Sequence, residues 1–413
     1  MQRTGGTASG SPATGLLVII PSKSDTGAGA LPGMTIAGLP LLRRVVLAAM
    51  RASIGRILVL TPDAFVVRRL LDGTRALVLT PDGPFPPLTP GRIVLLTMSV
   101  LPEPKWLRAL FEMSIEPERL YVEASEVAVI EGADCDAILS AVSHCDGAPD
   151  LFAALERVFK TDRLPLRDGG KYVIATPEDV SKAEDWLLRG LVKEIESFMS
   201  RHVERRISLA ITRRLASTRI TPNAMTLVSL AVGLMGAPFF LSSRPGWQLT
   251  GALLFWAHSI LDGCDGELAR LKFLESRWGG LLDFWGDNAV HVAVFMCMAI
   301  GWSRASLALG PLLVGGMAVA GTVLIASVVY RHTMQEKATD APLFTSVVRT
   351  RASRLSRLAD TLAHRDFIYL VVLLSAVGKV PWFLLLTAVG SPIFLLVLLW
   401  IAHTEVHQKG NPP

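Results

Sequence analysis

Four aspartates stand at regular spacing in an otherwise apolar part of the chain: Asp262, Asp265, Asp283 and Asp287. On a helix Asp262, Asp265 or Gly266, and Ala269 follow the i, i+3, i+7 rule and share a face. Gly279, Asp283 and Asp287 share a face of a second helix at i, i+4, i+8. A short polar turn between the two helices brings these faces together. A carboxylate at membrane depth costs about 2.5 to 3.5 kcal/mol even on the lenient insertion scale, so four of them need compensating charge that the segment does not supply in full. Divalent cations, which take oxygen ligands, are the natural partner. Gly266 and Gly279 add to this, because a missing side chain on an acidic face leaves room for a ligand to approach the backbone.

The string resembles the signature of the CDP-alcohol phosphotransferase (CDP-alcohol phosphatidyltransferase) family, D-x-x-D-G-x-x-A-R-x8-G-x-x-x-D-x-x-x-D. Asp262, Asp265, Gly266, Ala269, Arg270, Gly279, Asp283 and Asp287 fill every fixed position. Eight specified positions are far more specific than a lone glycine loop. The resemblance implies Asp262, Asp265 and Asp283 as ligands of a two-metal Mg2+ or Mn2+ site. It implies Asp287 as the general base that also touches the second metal, and Gly266, Ala269, Arg270 and Gly279 as contacts of the cytidine diphosphate. Asn288 follows Asp287 where family members often carry Arg. The implied partners are a CDP-linked donor, such as CDP-diacylglycerol or CDP-inositol, and an alcohol or alcohol-phosphate acceptor, with CMP as product and a homodimer as the assembly. The rival readings are a bifunctional cytidylyltransferase and phosphotransferase, and a noncatalytic membrane scaffold in which the acids are solvated or hydrogen-bonded to one another.

Other residues near the signature are less specific. Pro222-Asn-x-x-Thr226 resembles the entry to the first span of the same family, where Asn223 and Thr226 face the nucleotide; the alternative is that Thr221 or Asn223 only caps the helix. His258 lies one turn before Asp262 and His291 one turn after Asp287. Each is either a partner that orients a carboxylate or a histidine satisfied in a bundle core. Arg365 at the start of the fifth span is read either as a bidentate ligand of an acceptor phosphate or as a topology-setting arginine. Cys264 stands at an unspecified position of the signature and has no assigned role.

The elements that position these residues follow from the distribution of apolar sequence. Hydrophobic residues make up 51% of 413 positions, yet the apolar runs crowd into the second half. They predict six spans at Ala224 to Leu241, Trp247 to Leu268, Gly280 to Trp302, Leu307 to Tyr330, Phe367 to Val377 and Pro381 to His403, the fifth being short. Arg331, Lys337, Arg349, Arg351, Arg354, Arg357 and Arg365 share one loop, whereas the opposite loops hold Arg244, Arg304 and Lys379, which places both termini and the acidic signature on the cytosolic side of an inner or cytoplasmic membrane. The net charge of +5 is modest. Its arginines gather beside the spans, a pattern that favours an anionic membrane face over nucleic acid. Cys135, Cys145, Cys264 and Cys297 form no CxxC pair and predict neither zinc nor a disulfide framework.

The expected organisation is a disordered start over 1–14, a cytosolic α/β doubly wound domain over 15–175, amphipathic basic helices over 176–219, the six-span α-helical bundle over 220–405 and a tail over 406–413. Strands are expected at 15–21, 56–62, 76–80, 92–97, 121–130 and 171–175, with helices at 40–53 and 64–71 between them, which gives a mainly parallel sheet. The domain loosely resembles the sugar-phosphate nucleotidyltransferases through Gly38-Leu-Pro-Leu-Leu-Arg-Arg and Ile54-Gly-Arg-Ile-Leu-Val-Leu, in the domain order of the bifunctional enzymes that make and then use CDP-inositol. The loop after the first strand carries glycines and Lys23 but not the expected spacing or arginine, and Leu95-Leu-Thr-Met-Ser lacks the aspartate expected at a metal-holding strand end. A degenerate domain is therefore expected. From Thr176 a helix is expected, with Leu188, Leu191, Val192, Ile195, Phe198, Met199 and Val203 on one face and arginines from Arg201 onward. It is read as an interfacial helix on the membrane, or alternatively as a linker helix packed on the soluble domain.

Overall fold

A computed structural model of the chain describes residues 13–20, 33–80, 83, 91–124, 126–132, 138, 148–166, 169–192, 199–334 and 367–410. The chain divides into two compact units, Met1–Arg189 and Gly190–Pro413. Lys23 with its loop, Cys135, Cys145, Ile195, Phe198, Lys337, Arg349, Arg351, Arg354, Arg357 and Arg365 lie outside the described residues.

The first unit runs β1 (Ala13–Ile20), β2 (Thr35–Ile36), β3 (Leu39–Pro40), α1 (Leu41–Arg51), β4 (Ile54–Leu60), α2 (Ala64–Leu70), β5 (Leu77–Leu79), β6 (Arg92–Thr97), β7 (Val100–Pro102), α3 (Pro104–Glu112), β8 (Arg119–Glu123), β9 (Val127–Glu131), α4 (Ala148–Val158), β10 (Lys160–Arg163), β11 (Lys171–Val173) and α5 (Asp179–Gly190). Seven strands form one sheet in the order β10-β8-β9-β6-β1-β4-β5. β1 lies between β4 and β6 and is parallel to both. Leu16 to Ile20 are all buried, as a strand covered on both faces requires. β9 is antiparallel to both its neighbours. The single strand expected over 121–130 is thus a hairpin: Ala124 takes φ 48° and Glu126 N–H donates to Glu123 O at 3.0 Å, so the chain turns back there. β11 pairs with β7 in a small separate ribbon.

The Gly38 motif has a structural cause. Ala37 and Gly38 both have positive φ, 45° and 80°, which makes the two-residue turn joining β2 to β3. Arg44 is buried beneath this turn and donates through Nη2 to Ile36 O at 2.9 Å and Ala37 O at 3.1 Å. Burial lowers its pKa to about 10, an effect opposed by Glu184. Glu184 on α5 accepts from Ala37 N at 2.8 Å, and Trp186 packs on Tyr172 with ring centroids 6.0 Å apart. α5 is therefore part of the first unit. The helix expected to run on from Thr176 past Val203 instead stops at Gly190, where glycine's entropic cost disfavours continuation.

In the second unit a π-helical turn, Ser200–Glu204, leads into α6 (Arg205–Ala216). Then follow α7 (Pro222–Gly236) with a 3₁₀ extension to Leu241, α8 (Pro245–Lys272), α9 (Arg277–Ser306), α10 (Gly310–Met334), α11 (Phe367–Ala376) and α12 (Val380–Gly410). Among the described residues four segments are long and apolar enough to cross a membrane: Pro222–Leu241, Arg277–Ser306, Gly310–Arg331 and Val380–Ile401. The other two expected spans fall on α8, whose last turns carry Asp262, Asp265, Glu267, Arg270 and Lys272, and on α11, which has 10 residues. Phe240, Phe255, Val290, Val294, Phe295, Val371 and Leu384 form the interior of the bundle. Leu313, Leu386, Val389 and Ile393 remain exposed, as residues facing lipid would be. Helices α7 and α9 approach closely through Gly233, where a Cβ would come within 2.7 Å of Val290.

Candidate metal and donor site

The aspartates are brought together by one tight connection. α8 ends because Phe273 adopts the left-handed conformation, φ 57° and ψ 35°, with Leu274 N–H reaching back to Ala269 O at 2.9 Å. α9 restarts three residues later, where Ser276 Oγ accepts from Gly279 N at 3.0 Å as the N-cap. This hairpin folds the late turns of α8 against the early turns of α9. One carboxylate oxygen from each of Asp262, Asp265 and Asp283 then lies within 4.8 Å of the other two. Asp262 and Asp265 are buried, and Asp283 Oδ1 is buried with no hydrogen-bond donor in reach among the described residues. Three like charges at this distance, two of them on buried residues, repel strongly. A divalent cation accepting oxygen ligands fits the set, and it offers the Asp283 oxygen a partner.

The cleft beside the acids is lined by Asn223, Thr226, Asp265, Gly266, Ala269, Gly279 and Asp283, together with Pro222, Leu274, Ser276 and Gly280. Six of the nucleotide and metal positions expected from the sequence therefore share one surface with Asp283. Thr226 is buried; its hydroxyl bonds to Asp265 and lies 3.2 Å from Pro222 O. Thr221 caps α7 by accepting from Ala224 N at 3.3 Å, which leaves Asn223 to face the cleft. A Cβ at Gly279 would stand 2.9 Å from Asn223 Oδ1 and 2.9 Å from Ser276 Oγ. Arg270 lies outside this lining, and its guanidinium folds over Gly266, 3.2 Å from where a Cβ would be.

Asp287 stands one turn beyond Asp283, apart from the three-acid group. Its Oδ1 lies 3.5 Å from His258 Nε2. His258 is buried, and its Nδ1 is 2.9 Å from Ser229 O. A carbonyl oxygen only accepts, so Nδ1 carries hydrogen and Nε2 faces Asp287. His291 differs: its Nδ1 bonds the Asp287 carbonyl of its own helix at 2.7 Å, and its ring packs among Phe255, Phe295 and Phe367. Asn288 donates to Phe284 O at 2.7 Å, within α9.

Sequence reasoning missed Glu267, which is fully buried at an unspecified signature position and accepts from Arg205, Ser208 and Thr212. The available signal was the spacing of those three donors on α6, at i, i+3 and i+7. Arg205, counted among the membrane-facing arginines, turns inward, whereas Arg206, Arg213 and Arg214 are exposed.

Residues 219–352 match the CDP-alcohol phosphatidyltransferase family. The bifunctional IPC transferase and DIPP synthase of Thermococcus kodakarensis is 41% identical over 127 residues, 30% of this chain and 28% of that protein. The enzyme of the same name from Archaeoglobus fulgidus is 34% identical over 175 residues, 41% of this chain and 34% of that protein. The match thus spans about a third of the length of these relatives. The crystal structure of Mycobacterium tuberculosis phosphatidylinositol phosphate synthase with CDP-DAG bound aligns over 47% of this chain and 92% of that one, at 20% identity and a TM-score of 0.34, too slight a likeness to carry an argument. The complete signature lies inside the match, so residues 219–352 form a region similar to the CDP-alcohol phosphatidyltransferase family, in a chain with four described helices long and apolar enough to cross a membrane.

Proposed function

We propose that the protein transfers a substituted phosphoryl group from a CDP-linked donor to an alcohol acceptor and releases CMP. The observation that carries this reading is the convergence of Asp262, Asp265 and Asp283 within 4.8 Å beside a cleft lined by Asn223, Thr226, Gly266, Ala269 and Gly279. Asp262, Asp265 and Asp283 would hold Mg2+ or Mn2+, with Asp287 reaching a second ion. Such ions neutralise a diphosphate and the charge that develops on its leaving oxygen. Gly266, Ala269 and Gly279 leave backbone open to the CDP moiety, and Asn223, Thr226 and Arg270 offer it polar contacts. Asp287 takes the proton of the acceptor hydroxyl. The acceptor oxygen forms its bond to the phosphorus that carries the donor alcohol, the bridging P–O bond breaks, and CMP leaves with the bridging oxygen. His258, 3.5 Å from Asp287, orients that carboxylate. Arg365 is assigned to an acceptor phosphate, and six spans with both termini and the site on the cytosolic side remain the proposed topology.

The first unit is assigned no cytidylyl transfer. Supporting this, β6 ends at Thr97, where the Thr97 and Ser99 hydroxyls pair with each other at 2.7 Å in place of a carboxylate. The names of the relatives favour the second reading, a bifunctional chain, and CTP-dependent formation of a CDP-alcohol by the full protein would establish it. The primary test is CMP release by purified protein with Mg2+ across CDP-diacylglycerol, CDP-inositol and other donors, each against inositol phosphate, glycerol phosphate and plain polyols. No CMP release with any pair, from protein that binds neither cation nor CDP, would leave the scaffold reading.

A further inference from the structure

Glu267 sits on α8 between Asp265 and Ala269, 0% exposed, and three side chains of α6 converge on it. Arg205 Nη1 donates to Oε1 at 2.7 Å, Ser208 Oγ to Oε1 at 2.6 Å, and Thr212 Oγ1 to Oε2 at 2.7 Å. One turn earlier Gly263 lets the arginine in: a Cβ there would stand 3.1 Å from Arg205 Nη1. Ile211 and Leu215 pack beside Cys264 and Leu268. At the far end Lys272 Nζ donates to Thr218 O at 2.7 Å and Leu215 O at 3.4 Å, closing the C-terminus of α6. The bound stretch of α8, Gly263 to Lys272, also carries Asp265, Gly266, Ala269 and Arg270 of the signature and follows directly on Asp262. At 100° per residue, Gly263 and Glu267 lie roughly opposite Asp262, Asp265 and Ala269.

Packing alone does not require this arrangement. A buried ion pair is seldom more stabilising than apolar residues of the same volume, and its best-attested use is to fix register. Apolar contact tolerates sliding and rotation, whereas three directional donors on one carboxylate do not. A metal-dependent site needs its groups held within about 0.5 Å and 10 to 20°. Two of the three cluster acids ride on α8, so any rotation of that helix moves them together against Asp283 on α9.

We infer that Glu267 is a positioning residue for the transfer reaction and that α6, which lies outside the family match at 219–352, is the fixture that sets the rotation of the signature helix. The inference rests on the reading of the acid cluster as the transfer site. It is tested in the full chain with Thr212→Val, which removes one donor at nearly constant volume, and with Arg205→Met/Glu267→Leu, which replaces the ion pair by apolar volume. Mn2+ is the binding probe, titrated directly; kcat and KM for the CDP donor and the thermal unfolding midpoint without metal are measured alongside. The double variant is expected to keep the wild-type midpoint while losing about 10- to 100-fold in Mn2+ affinity and in kcat. Thr212→Val is expected to lose about fivefold in both at a temperature where it is fully folded, with a lowered midpoint because Glu267 Oε2 loses its donor, and Thr212→Ser is expected to restore them. Wild-type Mn2+ affinity and kcat in a folded double variant would overturn the inference. Should that variant not fold, the same result in Thr212→Val would overturn it. Wild-type protein that binds no Mn2+ overturns the transfer-site reading and this inference together, whereas wild-type binding with unaltered variants overturns this inference alone.

Discussion

Replacing Asp287 and Asp262 separately by asparagine divides proton removal from metal holding. Asp287 lies outside the three-acid group and faces His258 Nε2 at 3.5 Å. Asparagine there keeps the size, so the helix packing has no reason to change. What is lost is the acceptor of the alcohol proton, which lowers kcat by about 10² to 10⁴, or about 2.7 to 5.4 kcal/mol of barrier. Asp262 is one of three oxygens within 4.8 Å of each other. Removing a unit charge about 4 Å from a cation costs about 4 kcal/mol per cation charge at an effective dielectric of 20, hence about 8 kcal/mol, or about 10⁶ in affinity, for a divalent ion. The donor diphosphate is held through that cation, so it is lost as well. Calorimetry with a CDP donor in Mg2+, beside CMP-release kinetics, is expected to show donor affinity kept and kcat lost in Asp287→Asn, and both lost in Asp262→Asn. Equal loss of donor binding in the two variants would refute the division and make Asp287 a metal ligand first.

Chelation is expected to abolish CMP release, with recovery on adding Mg2+ or Mn2+; full release in excess EDTA would contradict a site built from Asp262, Asp265 and Asp283. Gly279→Ala places a Cβ 2.9 Å from both Asn223 Oδ1 and Ser276 Oγ. It should raise the donor KM about tenfold, the loss of one polar contact, with a smaller effect on kcat; an unchanged KM would remove Asn223 from donor binding. Arg44→Met strips Ile36 O and Ala37 O of their donor inside the first unit. Chemical denaturation should show that unit weakened by about 2 to 3 kcal/mol, with transfer by the second unit intact at a temperature where both are folded.

The acid cluster was legible because its parts are local in sequence. Asp262 and Asp265 share one helix, Asp283 the next, and a helical repeat with a short turn suffices to bring them together. The cleft was legible from resemblance, through Asn223, Thr226 and the signature glycines. The same holds for β1, β4 and β6, whose apolar runs are bounded by Gly, Pro or Thr. Features without such punctuation were not readable. Ala124-Ser-Glu carries no Gly or Pro, so the turn between β8 and β9 was hidden in what reads as one strand. The end of α8 was equally silent, because Phe273 occupies a left-handed position that glycine would have advertised.

Glu267 marks a different limit. A glutamate at an unspecified position of a signature reads as solvated, and its donors Arg205, Ser208 and Thr212 lie 62, 59 and 55 residues away. A basic helix ahead of a first span reads as a membrane-surface element because its arginines are counted, not placed. Arg205 is the exception, and only its register with Ser208 and Thr212 distinguishes it from Arg206, Arg213 and Arg214, which stay exposed. Buried charge in such a helix is expensive unless it is matched. An i, i+3, i+7 row of one arginine and two hydroxyls is therefore a search pattern for a buried acid on the helix opposite, and in this chain that helix is the one carrying the signature.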